Sequence, residues 1–283
     1  MKNIVIIPNI NKDKELSVTK SVVEKLISCG ADVYIESKYR LDEKKIKKYD
    51  IFPSCAELVI VVGGDGSFID ASSKAIENNI PIFGVNLGKF GYLSEVEPDN
   101  LDILKRLFSG DFKVKEKMLL TVSHISGDEE TKSDRLAVND IIITRESYMG
   151  IADFSLETKN GEKVKYRADG MIFSTPAGST AYSLSAGGPV MAHGVDSLLA
   201  TPICPHSFFN RSIIFNPTEI IKLKNTGDAD LSISVDGRHF KNARPGESCT
   251  VSMASEKIKT LTFNENNMFS TLFRKMRIME DIK

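Results

Sequence analysis

The sequence predicts an α/β amino-terminal domain built on a parallel sheet, followed by a mostly β carboxy-terminal domain. Three observations carry this expectation: alternating short β-rich runs and helix-length polar stretches in the first third, a change near Met118 to short segments separated by turns, and a length of 283 residues. That length exceeds what one hydrophobic core usually supports, so two domains are expected. We place the α/β domain at 1–117 plus about 266–283, and the β-rich domain at 118–265.

Ile4 to Ile7 reads as the first strand, Val18 to Cys29 as a helix with Val22, Val23, Leu26 and Ile27 on one face, and Ala31 to Ile35 as the next strand. Gly30 suits that helix's carboxyl cap. The basic run Lys44-Lys45-Ile46-Lys47-Lys48 reads as a solvated helix face without a function. Glu57 to Val62 is almost unbroken apolar sequence, as expected of a strand covered on both faces, and it stops at Gly63-Gly64. A helix over Phe68 to Asn78 and a buried strand over Ile80 to Val85 follow. Leu119 to His124, Ile141 to Thr144, Phe154 to Thr158, Ile213 to Phe215, Ile220 to Leu223, Leu231 to Val235 and Thr250 to Met253 are the expected β segments of the second domain. Asn160-Gly161 and Asp236-Gly237 are hairpin signals among them. Phe269, Leu272, Phe273 and Met276 repeat at helical spacing, predicting a terminal amphipathic helix over Met268 to Ile278 that returns to the first domain.

Lys plus Arg number 37 against 38 Asp plus Glu, so there is no long-range field to hold nucleic acid or an anionic membrane. The four cysteines are dispersed without a C-x-x-C pair, which predicts reduced, mostly buried thiols and neither a zinc site nor disulfides. The first apolar run is too short for a leader or a membrane span, and we expect a cytosolic protein.

Three segments carry chemistry. Gly63-Gly64-Asp65-Gly66-Ser67 lies where a buried strand meets a helix, the end of an open α/β sheet that binds ligands. Glycines there admit phosphate oxygens to backbone amides, and the helix start adds partial positive charge. The segment is neither a P-loop nor G-x-G-x-x-G. A carboxylate beside phosphates is repelled unless it binds a bridging metal ion or accepts a proton from an attacking hydroxyl, so Asp65 points to phosphoryl transfer. The same residues also read as a tight turn with Asp65 as helix cap. Asn139-Asp140 can hold the vicinal diol of a ribose, although an Asn-Asp pair alone is usually a turn. Tyr166 to Pro189 is dense in Gly, Ser, Thr and Ala; Thr180, Ser183 and Ser185 could line a polar ligand, with Tyr182 offering a ring to a base.

These residues resemble the bacterial NAD kinases. Gly63 to Ser67 is similar to the family's G-G-D-G-T, Asn86-Leu87-Gly88-Lys89-Phe90-Gly91-Tyr92-Leu93 to its N-x-G-x-x-G-F-L, and Asn139-Asp140 to its N-E/D pair. Asp169-Gly170 through Pro189 resembles the long D-G-…-T-P-T-G-S-T-A-Y-…-S-A-G-G-P signature, and Pro202 to Ser207 resembles P-I-x-P-H-S. The motifs occur in the family's order along almost the whole chain. Gly-Gly-Asp-Gly alone is shared with diacylglycerol and sphingosine kinases.

The resemblance implies a Rossmann-like first domain, a β-rich second domain and a site between them. It also implies homo-oligomeric assembly, a dimer or tetramer, and transfer of a phosphoryl group from ATP, and possibly polyphosphate, to the 2′-hydroxyl of the adenosine ribose of NAD. It makes Asp65 the proton acceptor and gives Gly63, Gly64 and Ser67 to the phosphates. Asn139 and Asp140 then hold the ribose, and Asp169 the nicotinamide end. Thr180, Ala181, Tyr182, Ser183, Leu184 and Ser185 line the nucleotide pocket, with Gly66, Tyr92, Arg167, Cys204 and Arg238 as further contacts. The expected cofactor is Mg²⁺ or Mn²⁺ held through donor phosphates. Ser67 and Asp140 keep the chemistry of the usual Thr and Glu, whereas Ala177 lacks the hydroxyl usual at its position. A lipid kinase of the diacylglycerol type shares the glycine turn but needs an apolar pocket. A non-catalytic dinucleotide sensor would have little reason to retain Asp65.

Overall fold

The computed structural model describes residues 1–41, 45–87, 96–146, 150–192, 194–206 and 208–263. The expected terminal helix, Tyr92 and most of the Asn86 to Leu93 motif lie outside them. The chain divides into two units, one formed by Met1–Glu116 with the residues from Ile258 onward, the other by Lys117–Lys257.

In the first unit, β1 (Asn3–Pro8), β2 (Asp32–Glu36), β3 (Ile46–Tyr49), β4 (Leu58–Gly63) and β5 (Ile82–Asn86) form a parallel sheet in the order β5-β4-β1-β2-β3. Every residue of β4 is buried, which explains its apolar run. Helix α1 (Ser17–Ser28) follows β1 and buries Thr19, Val22, Val23 and Leu26. Its start is held by the buried carboxylate of Asp13, which accepts the amides of Val18 and Thr19 at 3.3 and 2.8 Å. Its end is closed by Gly30 at φ 91°, with Gly30 and Ala31 donating to Ile27 and Leu26. Helix α2 (Asp65–Glu77) follows β4 directly.

Two expectations change here. The described part of the basic run is not a helix: Ile46–Tyr49 is a strand that, among the described residues, pairs with β2 alone, its exposed lysines keeping that edge in water. Helix α2 begins at Asp65 rather than near Phe68, because Gly64 takes the extended cap conformation, φ −102° and ψ −172°.

The strand β6 (Lys113–Ser126) leads into the second unit and pairs with β7 (Glu129–Lys132). There follow β8 (Asp140–Arg145), β9 (Ala152–Glu157), β10 (Lys163–Ala168), β11 (Gly170–Ser174), β12 (Leu198–Ile203), β13 (Ile213–Phe215), β14 (Ile220–Asn225), β15 (Leu231–Val235), β16 (Arg238–Ala243) and β17 (Ser248–Thr262). An antiparallel sheet runs β13-β12-β11-β8-β15-β16, and β10, β9, β14 and β17 are neighbours in that order in another. Inward-facing residues of both, among them Phe154, Phe173, Ile143, Leu223 and Val251, share one core, as in a sandwich. Both hairpin signals hold: Gly161 at φ 84° turns β9 into β10, and Asp236 and Gly237 at φ 48° and 74° turn β15 into β16. The cysteines are less buried than expected: Cys249 is in the core, but Cys55 and Cys204 are exposed, because both fall in loops.

Candidate functional site

The first group of candidate residues sits at the carboxyl end of β4. Gly63 is the strand's last residue, Gly64 the helix cap, and Asp65 the first residue of α2, half-buried. Gly63 is required by space, and Gly64 lies under a lysine. A Cβ on Gly63 would stand 2.6 Å from the Ser67 hydroxyl and 3.3 Å from the Asn9 side chain. One on Gly64 would stand 2.7 Å from the Lys12 ammonium. Ser67 accepts a hydrogen bond from Asn9 Nδ2 at 2.6 Å, fastening the turn after β1 to the first turn of α2. Asn9 Oδ1 in turn accepts the amides of Asn11 and Lys12 at 3.0 and 3.1 Å. Exposed Gly66 leaves the helix start open to solvent. The result is a cationic side chain, a helix start and an aspartate around two residues that have no side chain, an arrangement that would cradle a phosphate with an acid at its edge. Sequence reading missed Asn9 and Lys12; their signal was a Pro-Asn turn at the end of a parallel strand.

The second group is in the β-rich unit. Asn139 precedes β8, and Asp140, 5% exposed, is its first residue. The carboxylate of Asp236, from the β15–β16 turn, accepts the amides of Val138, Asn139 and Asp140 at 2.7, 2.9 and 3.0 Å. Burial first, and then the neighbouring Asp236, push Asp140 up to about 7. Burial also raises Asp236, against the lowering pull of its three amides and of Arg135. Of the two carboxyls, Asp140 is the one whose shift no hydrogen bond opposes, so it holds its proton to higher pH than an ordinary aspartate. Ser174 at the end of β11 stands opposite Asp140 in register, its hydroxyl buried without a hydrogen-bond partner among the described residues. The small-residue signature closes over the pair: Thr175 Oγ1 donates to the Val138 carbonyl at 2.7 Å and Thr175 N to that of Asn139 at 2.9 Å. A Cβ on Gly178 would overlap the Asn139 carbonyl.

The signature residues divide by burial. Tyr182, Leu184 and Ser185 are exposed and Ala181 half-buried, while Thr180 Oγ1 donates to the Ala177 carbonyl at 3.1 Å. Ser183 is fully buried and its hydroxyl is 2.9 Å from that of Thr201, itself 3.0 Å from Ser212. Asp169 lies before β11, at the opposite end of that strand from Ser174 and Asp140, and accepts Arg145 Nε at 3.0 Å. Near it are exposed Cys204 after β12 and Arg167 on β10, which lies 3.9 Å from Asp153 and whose carbonyl accepts His206 N. Arg238 is exposed at the start of β16. Asp236 was legible only as a turn residue; its bonds to the Asn-Asp segment needed the fold.

A glycine turn edged by an acid in one unit, and an amide beside a buried acid pair in the other, are features that a phosphotransferase acting on a hydroxyl would use. Known proteins agree. Residues 4–112 match the family model described as the ATP-NAD kinase N-terminal domain, and residues 138–263 that of the C-terminal domain. The NAD kinase of Thermoanaerobacter sp. (strain X514) is 36% identical over 98% of this chain and 99% of its own. That of Geobacter sulfurreducens is 33% identical with the same coverage of each chain. The chain belongs to the NAD kinase family, and its reaction is the phosphorylation of NAD. The fold agrees with a yeast NADH kinase solved with NADH, at a TM-score of 0.81, 21% identity and coverage of 96% of this chain and 86% of that one. It agrees also with an Archaeoglobus fulgidus NAD kinase solved with ATP, at a TM-score of 0.72, 22% identity and coverage of 98% and 99%. The lipid-kinase and sensor readings are not favoured. Among the described residues, no helix is long and apolar enough to cross a membrane.

Proposed function

We propose that this kinase transfers the γ-phosphoryl group of ATP to the 2′-hydroxyl of the adenosine ribose of NAD, giving NADP, with Asp65 as the proton acceptor. One observation carries the assignment: Asp65 opens α2 on the glycine turn, so its carboxylate stands where donor phosphates would meet a hydroxyl. The 2′-oxygen attacks the γ-phosphorus, the new O–P bond forms as the bond to ADP breaks, and the hydroxyl proton passes to Asp65. Gly63, Gly64 and Ser67 hold the phosphates.

In the β-rich unit, Asn139 and Asp140 take the ribose diol. Protonated Asp140 donates a hydrogen bond as well as accepting one. Asp169, about 17 Å away along β11 at ordinary strand rise, takes the nicotinamide end, so one extended dinucleotide spans the two groups. Arg167, Cys204 and Arg238, with Thr180 to Ser185, Gly66 and Tyr92, complete its surroundings. A divalent ion, Mg²⁺ or Mn²⁺, would enter on the donor phosphates and neutralise charge as it moves to the leaving group. The residues fit that arrangement in one respect: Asp65 places a carboxylate at the start of α2, beside the glycine turn. We place the enzyme in the cytoplasm as a homo-oligomer, a dimer or tetramer.

The test is Asp65→Asn, assayed for NADP formation from NAD and ATP with Mg²⁺. A fall in kcat of about 10²–10⁴-fold with the NAD dissociation constant held within several-fold is expected. Near-normal turnover would remove Asp65 as the base.

A further inference from the structure

A cavity of about 490 Å³ lies wholly within the β-rich unit and is used by none of the roles above. One wall is β16, which contributes His239, Phe240, Lys241 and Asn242, residues consecutive in sequence. Successive side chains of an unbroken strand point to opposite faces, so a regular strand could not present all of them to one space. This strand is not regular: Lys241 pairs with Ile233 and His239 with Ser234, which leaves Phe240 as the extra residue of a β-bulge. Bulges re-aim side chains, and this one turns them onto the cavity.

Another wall is the β6–β7 hairpin, with His124, Ser126, Glu129 and Thr131. Hydrogen bonds tie the walls together. Glu247, from the turn after β16, accepts Ser126 Oγ at 2.6 Å and lies 2.9 Å from His124 Nε2, and Lys241 Nζ donates to Thr131 Oγ1 at 3.0 Å. His124 is only 5% exposed, so the bonded floor is part of the folded core of the unit rather than a dent in its surface.

These bonds also decide which charges are spent. Both oxygens of Glu247 are occupied, Oε1 by Ser126 and Oε2 by His124 and by the amide of Arg244 at 2.8 Å. Half-buried Lys241 meets only the neutral hydroxyl of Thr131, and the guanidinium of Arg244 makes no hydrogen bond or ion pair among the described residues. The carboxylates of Glu129 and of half-buried Asp230, just before β15, are equally uncommitted among the described residues. A plain anion would meet Glu129 and Asp230 here, and a plain cation would meet Lys241 and Arg244. A molecule carrying both signs satisfies the two sets at once. Phe240 is the only apolar side chain lining the cavity, which leaves little for a hydrophobic ligand.

The strand that forms the wall also leads to the Asn-Asp segment. It begins two residues after Asp236, whose carboxylate accepts the amides of Val138, Asn139 and Asp140. A ligand that grips β16 would therefore stiffen the turn on which that segment rests.

We propose that this cavity binds a small dipolar metabolite of the α-amino-acid class, its carboxylate on Lys241 and Arg244 and its ammonium group on Asp230 and Glu129, and that the bound molecule strengthens NAD binding through β16 and the Asp236 turn. The coupling rests on the ribose role given to Asn139 and Asp140; the binding does not.

The test is calorimetric titration of the protein, without substrates, with each of the common α-amino acids and with succinate, phosphate and putrescine as single-sign controls. At least one amino acid should bind with a dissociation constant of about 1 mM or tighter, and no control should. Lys241→Gln and Asp230→Asn, checked by thermal melts, should each weaken that binding at least tenfold while kcat with saturating NAD and ATP stays within twofold. The bound amino acid should lower KM for NAD by about 5-fold or more, and Lys241→Gln should abolish that effect. Binding of no amino acid, or equal binding of a control, would overturn the site and leave the kinase intact. Binding that leaves KM for NAD unmoved would overturn the coupling. A protein that binds the amino acid yet forms no NADP would overturn the kinase reading and leave the site standing.

Discussion

Replacing Asp140 by Asn should make the protein's stability less sensitive to alkali, and the size of the effect follows from burial. Asp140 is 5% exposed and its carboxyl is pushed up to about 7, from an ordinary value of 3.8, by desolvation and then by Asp236. Such a raised acid costs the folded state nothing while both states hold the proton, and the folded state loses ground once the unfolded chain can shed a proton that the folded chain must keep. The contribution is therefore complete below the unfolded value and falls away as pH rises toward 7. Each pKa unit corresponds to 1.36 kcal/mol, so the whole shift amounts to about 4 kcal/mol, of which about 3 kcal/mol falls between pH 5 and 8. Asn keeps the shape, carries no charge, and offers Asp236 an amide. Urea denaturation followed by circular dichroism at both pH values should show the wild type losing about 2–3 kcal/mol more than Asp140→Asn over that range. Parallel losses, within about 0.5 kcal/mol, would refute the placement of the buried proton.

Removing the carboxylate in Asp236→Ala should cost more than removing the Asp140 charge, because it strands three amides, those of Val138, Asn139 and Asp140. At roughly 1–3 kcal/mol per unsatisfied buried group, a melting-temperature drop of several degrees and a sharply raised KM for NAD are expected, with ATP binding unchanged. Gly178→Ala would drive a methyl into the Asn139 carbonyl; it should destabilise by about 1–3 kcal/mol and weaken NAD more than ATP in parallel titrations.

The parts of the fold legible in sequence were those written by local chemistry. Full burial of β4 produced an unbroken apolar run, Gly30 marked the end of α1, and Asn160-Gly161 and Asp236-Gly237 marked two hairpins. The strand at Ile46–Tyr49 was hidden because an edge strand needs only one side to pair and tolerates lysines that resemble a helix face. The strand β11 was hidden differently: it lies inside the small-residue stretch that was read for its polar ligand groups, while Gly170 is there because a Cβ would strike the Ile143 carbonyl of the adjacent strand. Asp65, Asn139 and Asp140 could be chosen from residue type and setting. Asn9, Lys12, Ser174 and Asp236 could not, since each matters through a partner tens of residues away, or in the case of Lys12 through the missing side chain of Gly64.

The two acids of the proposed chemistry are set in different surroundings, and Asp140's bear on the role proposed for it. Asp65, the proposed proton acceptor, is half-buried at the first position of a 13-residue helix. A proton acceptor has to be ionised before the hydroxyl arrives. Asp140 is enclosed beside another carboxylate whose own hydrogen-bonding capacity is taken by three amides, a setting that favours the protonated form. A group that orients a diol gains from being a donor and an acceptor together and has no proton to take. The Asp-Gly turn at 236 and 237 would thus serve one requirement of the proposed chemistry, that Asp140 meet the ribose as a donor as well as an acceptor.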